Sequence, residues 1–461
     1  MSVLPTGRSV GRALAVAAAV CLLGLAPAAE ARPPGTFERL FPKLDAFAVG
    51  TDQDLADLAG TMCEEQPLPP AELPAFGTQC SAQAATQTDN GTHFVLGQFL
   101  DHDLTLDQEP QPNQPVNLKS LDNTRNALLD LDSVYGDGPQ RSPELYEADG
   151  RHLRVGVSNG IPDVPRRADG SAILADGRND ESLIIAQLHA AFLRFHNKVI
   201  DERGLSLGEA QRAVRHQWQW LVLNEYLPRF VGDAGRIGSY KPANKHDPVL
   251  PVEFAVAAFR FGHSQVGGPY QLNSDPRSRR HVFSLNPLLP TLVGGRPIPA
   301  GLGIDWRRFF DIGTPTPVGQ FNPGRRIDTR IHLTLFQLPI PGAAASGSNL
   351  LVFRTLVRSK HYGLPSYEDV ARALGITPVD VSALHPEIPA VFADESPLFY
   401  GILAESEKLG GARLGPTGAR IVNEVIRTNV ERDPDSYLNR RPAYQPLVRS
   451  IGGLLHFAGV A

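Results

Sequence analysis

The sequence lacks the excess of positive charge that nucleic-acid-binding proteins use. It has 44 Lys and Arg residues against 49 Asp and Glu residues, and its formal net charge is −5 at pH 7. Binding to nucleic acid normally needs a basic face that displaces counterions from phosphate. Because no Lys- or Arg-rich run supplies such a face, the composition argues against a nucleic-acid partner.

Hydrophobic runs long enough to cross a bilayer are also missing. The apolar stretch at residues 13–26 is shorter than the ~20 residues that a membrane span requires, and no later stretch approaches that length. Two arginines precede it, and a small-x-small site follows at 29–31, which predicts a cleaved signal peptide over 1–31. An uncleaved N-terminal anchor is the competing interpretation. We expect the mature chain, 32–461, to be secreted or periplasmic.

Cysteine is scarce, with three residues in the whole sequence. Cys21 lies in the predicted signal peptide, and the other two have no CxxC spacing, so neither a zinc ribbon nor a thioredoxin-like site is indicated. Disulfides persist in exported proteins. Since Cys63 and Cys80 lie close in sequence, we expect them to form one disulfide.

The remaining composition is that of a globular protein, with 42% hydrophobic and 20% charged residues. No internal repeat or low-complexity linker divides it, and we predict a single domain over 32–461. Apolar periodicity and capping patterns predict helices over 182–200, from Ser206 to Pro228, over 251–261 and over 367–374. The segment 287–323 is rich in Gly and Pro and predicts ordered loop. Strand alternation is sparse, so the fold class should be mainly α.

Two short acidic segments of the sequence contain candidate functional residues. Asp101-His102-Asp103 places an imidazole between two carboxylates, which can tune its pKa or bind a cation. A solvated acidic helix end is the alternative. Asp130 and Asp132 are two residues apart, so their carboxylates can point the same way, as a hard cation such as calcium requires of several ligands. A carboxylate from elsewhere, such as Asp103, would have to complete that site. The alternative there is a polar turn.

Further candidates are a pair at the start of one helix and a histidine at the end of another. Arg178 and Glu181 stand three residues apart and would ordinarily form a surface ion pair. His263 follows an apolar segment and Gly262, so it could bind a metal from a dry pocket, but a lone buried histidine is more often structural. His189 and His196 lack a carboxylate at zincin spacing, and we interpret both as packed or hydrogen-bonded side chains.

Read together, the ordered motifs resemble a known family. GQFLDHDLT, LDLDSVYG, GRNDES with HAAFLRFHN, LNEYLP, AFRFGHS and GLPSY, from Gly97 to Tyr367, are similar to the peroxidase–cyclooxygenase superfamily, or animal-type haem peroxidases. The segment 410–416 resembles bacterial members. This resemblance implies a large helical haem peroxidase domain with long ordered loops and a b-type haem.

The resemblance assigns roles on both sides of the haem. His102 would be the distal base, Arg178 its catalytic partner and Gln98 a neighbour in the same cavity. A neutral imidazole can move a proton between two peroxide oxygens, and a guanidinium can stabilise the developing charge. On the other side, the resemblance makes His263 the axial iron ligand.

Other contacts of the haem are also implied. Arg260 and Arg358 would meet its propionates, since arginine binds carboxylates in a bidentate way. Asp101 and Glu181 match carboxylates that form ester bonds to haem methyl groups in some relatives. A methionine sulfonium link is excluded because Ser182 occupies that position.

The resemblance also implies a calcium site. Its ligands would be the side chains of Asp103, Asn126, Asp130 and Asp132 together with the carbonyl oxygen of Leu128. Calcium is bound by carboxylate, amide and carbonyl oxygens of this kind.

Two departures from the family pattern concern the proximal side, which is the side of the haem where the axial histidine would lie. Thr355 stands where an asparagine usually accepts the Nδ1 proton of the axial histidine, and RSKHYG at 358–363 replaces RSRDHG. The shorter threonine predicts an altered proximal hydrogen bond.

The expected function is a peroxidase that reduces hydrogen peroxide and oxidises halide, thiocyanate or a small organic (phenolic) donor. One alternative is a fatty-acid oxygenase, whose radical tyrosine would stand three residues before the axial histidine, where this chain has Arg260. A non-catalytic binding or adhesion protein on the same fold is another alternative.

Overall fold

The structure is a computed structural model that describes most of the chain after the predicted signal peptide. The described residues are 35–64, 87–88, 93–106, 115–238, 240, 249–284, 288–314, 320–336, 338, 350–440 and 443–461. Cys63 is buried, whereas Cys80 lies outside the described residues, so the disulfide stays a prediction. The signal peptide at 1–31, with Cys21, lies outside them as well, and the domain boundary at residue 32 is likewise still a prediction.

Helices dominate the described residues. The α-helices are α1 Asp52–Thr61, α2 His93–Leu104, α3 Asp132–Tyr135, α4 Leu183–Arg203, α5 Leu207–Leu221, α6 Leu227–Val231, α7 Gly262–Gln265, α8 Leu351–His361, α9 Tyr367–Ala373, α10 Val381–Leu384, α11 Leu398–Lys408, α12 Pro416–Arg432 and α13 Ile451–Phe457. Within these residues no helix has both the length and the apolar character that a bilayer crossing would need.

The strands are short. They are β1 Gly35–Glu38, β2 Cys63–Glu64, β3 Gln87–Thr88, β4 Asp122–Asn123, β5 Gly156–Ser158, β6 Ile161–Asp163, β7 Val249–Pro251, β8 Tyr270–Gln271, β9 Arg279–Arg280, β10 Gly324–Arg325 and β11 Ile331–His332. Strand β1 lies between β4, to which it is antiparallel, and β7, to which it is parallel. The other strands pair two by two. The predicted mainly α fold class is confirmed.

Two of the predicted helices are confirmed, and each begins at a capping serine. The side chain of Ser182 accepts a hydrogen bond from the backbone N–H of Ile184 at the start of α4, and Ser366 accepts one from Asp369 at the start of α9. Such caps satisfy donors that the first turn of a helix leaves without partners. The prediction of an ordered loop over 287–323 also holds for its described residues, whose one helical turn is Trp306–Arg308.

The prediction that Pro228 ends the second helix is wrong. Helix α5 begins at the predicted capping box of Ser206 and Glu209, but after Leu221 the chain continues through a π-helical turn, Val222–Tyr226, into α6. Pro228 lies in the first turn of α6, directly after the π-helical turn, so the helical path continues past a residue that has no N–H. The helical path ends instead at Gly232, which has a positive φ of 54°.

The predicted regular helix over 251–261 is also wrong in its start and its form. Pro251 ends strand β7, and the chain then forms a π-helical turn, Glu253–Ala257, followed by a 3-10 turn, Ala258–Phe261, and by α7. The guanidinium of Arg260 donates to the carbonyl of Ala255 at 2.7 Å. This side-chain bond satisfies an acceptor in the irregular segment.

Helix α2 is surrounded by other helices. It packs on α4, α7 and the π-helical turn that follows α5. Phe99 of α2 stacks on Phe192 of α4 with ring centroids 4.7 Å apart, and the ring of Trp218 of α5 lies nearly perpendicular to both, at centroid distances of 5.7 and 5.4 Å. These buried contacts fix the position of the helix that carries the Asp101–Asp103 motif.

Gly97 lets α2 approach the π-helical turn. A Cβ at this position would lie 2.5 Å from the hydroxyl oxygen of Tyr226. We therefore expect Gly97→Ala to lower the free energy of unfolding by about 1–3 kcal/mol through overpacking, although alanine favours helix by ~1 kcal/mol.

The double variant Gly97→Ala/Tyr226→Phe should recover part of this loss because it removes the clashing oxygen. Urea unfolding followed by circular dichroism measures all three variants, with Tyr226→Phe alone as the control. A Gly97→Ala protein as stable as the wild type would mean that α2 is not held this closely.

Candidate functional site

The structure brings the two predicted histidine segments together. Helix α2 carries His102 and packs on α7, which carries His263. Arg260, three residues before His263, forms an ion pair with Asp101 in which Nη1 lies 2.9 Å from Oδ2. The two segments are therefore joined by a side-chain contact as well as by helix packing.

His102 is a buried, neutral imidazole. Burial, aided by the positive charge of Arg178, lowers its pKa to about 4. Its Nδ1 lies 2.9 Å from Oδ1 of Asn179, which is itself fully buried. Since an amide oxygen can only accept, Nδ1 carries the proton and Nε2 keeps the lone pair. The imidazole thus has the tautomer and the charge of a general base.

The sequence did not single out Asn179. It lies in the 3-10 turn Gly177–Asp180, immediately after Arg178 and before α4. Asn179 is a polar residue just before an apolar helix, and a polar side chain buried there needs a hydrogen-bond partner. The sequence therefore could have indicated that Asn179 has a partner. The identity of that partner depends on how α2 packs, which residue spacing does not show.

Arg178 lies against the carbonyl end of α2. Its Nη2 donates to the backbone oxygens of His102 at 3.2 Å and Thr105 at 2.5 Å. Asp176 binds Nε at 3.1 Å and Nη2 at 2.7 Å. Burial alone would raise the pKa of Asp176, but the hydrogen bonds and the charge of Arg178 outweigh this effect and lower the pKa to about 2. The guanidinium therefore pairs with Asp176, and not with Glu181 as an ordinary helical pair would.

Gln98 and Glu181 both have exposed side chains. Gln98 stands four residues before His102, about one helical turn away on α2. The carboxylate of Glu181 accepts no hydrogen bond within the described ranges. Asp101 differs, because its Oδ1 accepts from Thr105 at 3.2 Å and its Oδ2 from Arg260.

His263 is also held neutral. Burial and the nearby charge of Arg260 lower its pKa to about 3. Its ring meets the edge of Phe399 with centroids 6.1 Å apart. Nδ1 is buried and has no hydrogen-bond partner among the residues that the structure describes. Thr355 does not fill this role, because its hydroxyl donates to the carbonyl of Leu351 at 2.9 Å.

The two predicted propionate-binding arginines have different surroundings. Arg260 uses Nε and Nη1 for Ala255 and Asp101. The guanidinium of Arg358 on α8 lies 6.0 Å from the ring centroid of Tyr362. Their contact with propionates stays a prediction.

Three predicted calcium ligands converge. Asp103, Asp130 and Asp132 offer carboxylate oxygens that all lie within 4.8 Å of one another. Burial and then the charges of the other two carboxylates raise the pKa of Asp103 well above its usual value, and burial and Asp130 raise the pKa of Asp132 to about 7. Oδ1 of Asp103 is buried and accepts no hydrogen bond from any described residue. A cation would neutralise this cluster.

The backbone before this cluster has an unusual shape. Ala127 and Leu131 have positive φ values of 54° and 59°, which side chains other than glycine adopt only at a cost. The side chain of Asn126 donates to Asp130 at 2.6 Å and accepts from the backbone N–H of Leu128 at 2.9 Å. These two bonds tie residues 126–130 into a compact loop.

The interpretation of His189 and His196 as packed or hydrogen-bonded side chains is confirmed. His196 lies 3.0 Å from the hydroxyl of Tyr135 and 3.0 Å from the carbonyl of Arg151. His189 meets the edge of the Phe99 ring. Neither joins a cluster of possible metal ligands in the described part of the chain.

Comparison with known sequences places this site in context. The sequence model of the family described as animal haem peroxidase matches residues 113–433. Peroxinectin A of Dictyostelium discoideum is 24% identical over 66% of this chain and 60% of its own length. Thyroid peroxidase of Rattus norvegicus is 24% identical over 80% of this chain and 51% of its own length. The chain thus spans half to three-fifths of these relatives.

Solved structures show the same fold. Peroxidase A from Dictyostelium discoideum superposes with a TM-score of 0.63 at 18% identity, covering 90% of this chain and 91% of that one. A fatty acid alpha-dioxygenase from Oryza sativa superposes with a TM-score of 0.55 at 16% identity, covering 88% and 76%. At these identities the likeness concerns the fold alone.

The hydrogen bond between His102 and Asn179 can be tested by titration. We expect Asn179→Asp to raise the pKa of His102 from about 4 to roughly 6, because a carboxylate at Nδ1 stabilises the imidazolium. Asn179→Leu should not raise it and should leave both tautomers populated. Nitrogen-15 NMR of the cofactor-free protein measures both properties.

The exposed His456 serves as an internal control. If Asn179→Asp left the pKa of His102 where it was, the two side chains would not be hydrogen-bonded in solution.

Proposed function

The chain belongs to the animal haem peroxidase family, and on this basis we propose that it is a haem peroxidase that reduces hydrogen peroxide and oxidises a small donor. The observation that carries the proposal is the buried His102, neutral and held by Asn179 so that its Nε2 is unprotonated. The structural histidine His196 differs, because both of its ring nitrogens have hydrogen-bond partners, Tyr135 and the carbonyl of Arg151, whereas His102 is bound through Nδ1.

The residues fit a b-type haem. Metal coordination requires a neutral imidazole, and burial keeps His263 in that state. His263 would bind the haem iron, and Arg260 and Arg358 would hold the haem carboxylates. When bound, the haem supplies an iron centre that takes up the oxidising equivalents of peroxide and passes them to the donor.

The distal side chains would handle the protons and the charge. Nε2 of His102 takes the proton from one peroxide oxygen and returns it to the other, which then leaves as water. The guanidinium of Arg178, oriented by Asp176, stabilises negative charge that develops on the departing oxygen. Gln98, one turn before His102, can hydrogen-bond to peroxide or to a small anion in the same cavity.

We propose calcium as a second cofactor, held by Asp103, Asp130 and Asp132. The support is the convergence of three carboxylates with one buried oxygen that accepts no hydrogen bond from the described residues. The Asn126 side chain and the Leu128 carbonyl complete the proposed ligand set. Asn126 now donates to Asp130 and accepts from the N–H of Leu128, and the Leu128 carbonyl accepts from the N–H of Asp130 at 2.9 Å. These oxygens would have to turn from such bonds to the cation.

The nature of residue 260 supports a peroxidase over a fatty-acid oxygenase. The radical tyrosine of such an oxygenase would stand at that position, and here it is an arginine in an ion pair with Asp101. A non-catalytic role is disfavoured because His102, Arg178 and His263 are all present. For the donor we propose a halide, thiocyanate or a small phenol, and for the location an extracellular or periplasmic compartment.

Replacement of the base tests the proposal. We expect His102→Ala to slow the reaction of the haem protein with hydrogen peroxide by ~10² or more, the usual effect of losing a general base. Stopped-flow absorbance measures this rate, and the Soret band shows that haem is still bound. His456→Ala, which changes an exposed histidine, should react as the wild type does.

An unchanged rate in His102→Ala would show that this histidine is not the base. A purified wild-type protein that lacks a Soret band despite a supply of haem would overturn the enzymatic proposal itself.

Covalent attachment of haem can be assigned to one of two carboxylates. We expect Glu181 to form an ester more readily than Asp101, because both oxygens of Asp101 are engaged by Arg260 and Thr105. After cycling with peroxide, acid–acetone should extract less haem from the wild type and Asp101→Asn than from Glu181→Gln. Complete extraction from the wild type would exclude an ester at either position.

A further inference from the structure

Trp218 makes a direct hydrogen bond to the acidic cluster. Its indole Nε1 donates to Oδ2 of Asp103 at 2.9 Å, and both side chains are fully buried. An indole N–H can only donate, so Trp218 cannot itself be a metal ligand. Among the described residues, its hydrogen bond to the cluster is the one to Asp103.

The hydrogen bond makes the two oxygens of Asp103 unequal. Oδ2 is bound by the indole, whereas Oδ1 accepts no hydrogen bond from the described residues and belongs to a carboxylate in the cluster with Asp130 and Asp132. Oδ1 can therefore bind a cation without the loss of any hydrogen bond, whereas Oδ2 already uses one of its lone pairs for the indole. This asymmetry favours coordination of a cation through Oδ1.

The indole is itself prevented from turning. Its ring lies edge-on to Phe99 of α2 and Phe192 of α4, with centroid distances of 5.7 and 5.4 Å and interplanar angles of 83° and 89°. Interiors packed this closely allow few rotamers. The direction of the N–H bond is therefore set by the helix core and not by the cluster.

We propose that Trp218 is a positioning residue of the calcium site, which orients Asp103 so that Oδ1 faces the cation. The inference rests on the calcium site of the proposed function. It also gives that site a connection to the catalytic centre, because Asp103 and His102 are neighbours in the last turns of α2. Hydrogen-bonding partners of metal ligands typically change metal affinity by 10–100-fold when they are removed.

The test is the calcium affinity of the haem-loaded protein, measured by equilibrium dialysis against radioactive calcium. We expect Trp218→Phe to raise the dissociation constant by ~10–100-fold. Trp220→Phe and Trp306→Phe, which change the other two tryptophans, should bind calcium as the wild type does. An unchanged affinity in Trp218→Phe would overturn the positioning role.

A second replacement separates the hydrogen bond from packing. 3-Benzothienylalanine at position 218 has the shape of tryptophan with sulfur in place of the N–H group, so it keeps the contacts with Phe99 and Phe192. We expect it to weaken calcium binding as Trp218→Phe does. Wild-type affinity in this protein would show that only ring packing matters, and the proposal would fail even if Trp218→Phe did not fold.

Thermal unfolding with and without calcium gives an independent readout. Loss of packing lowers the midpoint equally in both conditions, whereas loss of positioning reduces the increase that calcium produces, because that increase depends on the affinity. An increase equal to that of the wild type would contradict the proposal. Asp103→Asn identifies the site, since wild-type calcium binding in this variant would overturn the calcium site while leaving the peroxidase proposal intact.

Discussion

The site depends on the burial of one turn of helix α2. Successive residues of an α-helix point about 100° apart, so Asp101, His102 and Asp103 face three different partners. Asp101 meets Arg260 of the segment before His263, His102 meets Asn179 at the start of α4, and Asp103 meets Trp218 of α5. A shift or rotation of α2 would break all three contacts together, and the dense packing around Phe99 prevents it.

Local signals in the sequence were sufficient for the regular parts of the fold. The caps at Ser182, Ser206 and Ser366 and the apolar periodicity behind them predicted three helix starts, because these interactions lie within one turn of the chain. The errors fall where helices are irregular. Pro228 and the segment 251–261 lie at or beside π-helical turns, and such turns are stabilised by packing between distant segments, which periodicity does not report.

The site was predictable to the extent that its residues form motifs. His102, Arg178 and His263 follow from ordered motifs, whereas Asn179 and Trp218 act across helices, and nothing in their spacing indicates their partners. Around His263 the sequence did point to a particular contact. The sequence predicted an altered hydrogen bond at Thr355. In the structure its hydroxyl donates to the carbonyl of Leu351 in its own helix, and Nδ1 of His263 has no acceptor among the described residues.

The contacts of Arg178 have a consequence for how this protein can change. The guanidinium to which we assign a role in the proposed reaction also donates to the carbonyl end of α2 and pairs with Asp176. Lysine would keep the positive charge but has no planar fork to direct several bonds at once. A substitution of Arg178 would therefore remove the bonds that hold the end of α2 and the partner of Asp176 at the same time as the proposed catalytic charge, so the two effects cannot be separated at this position.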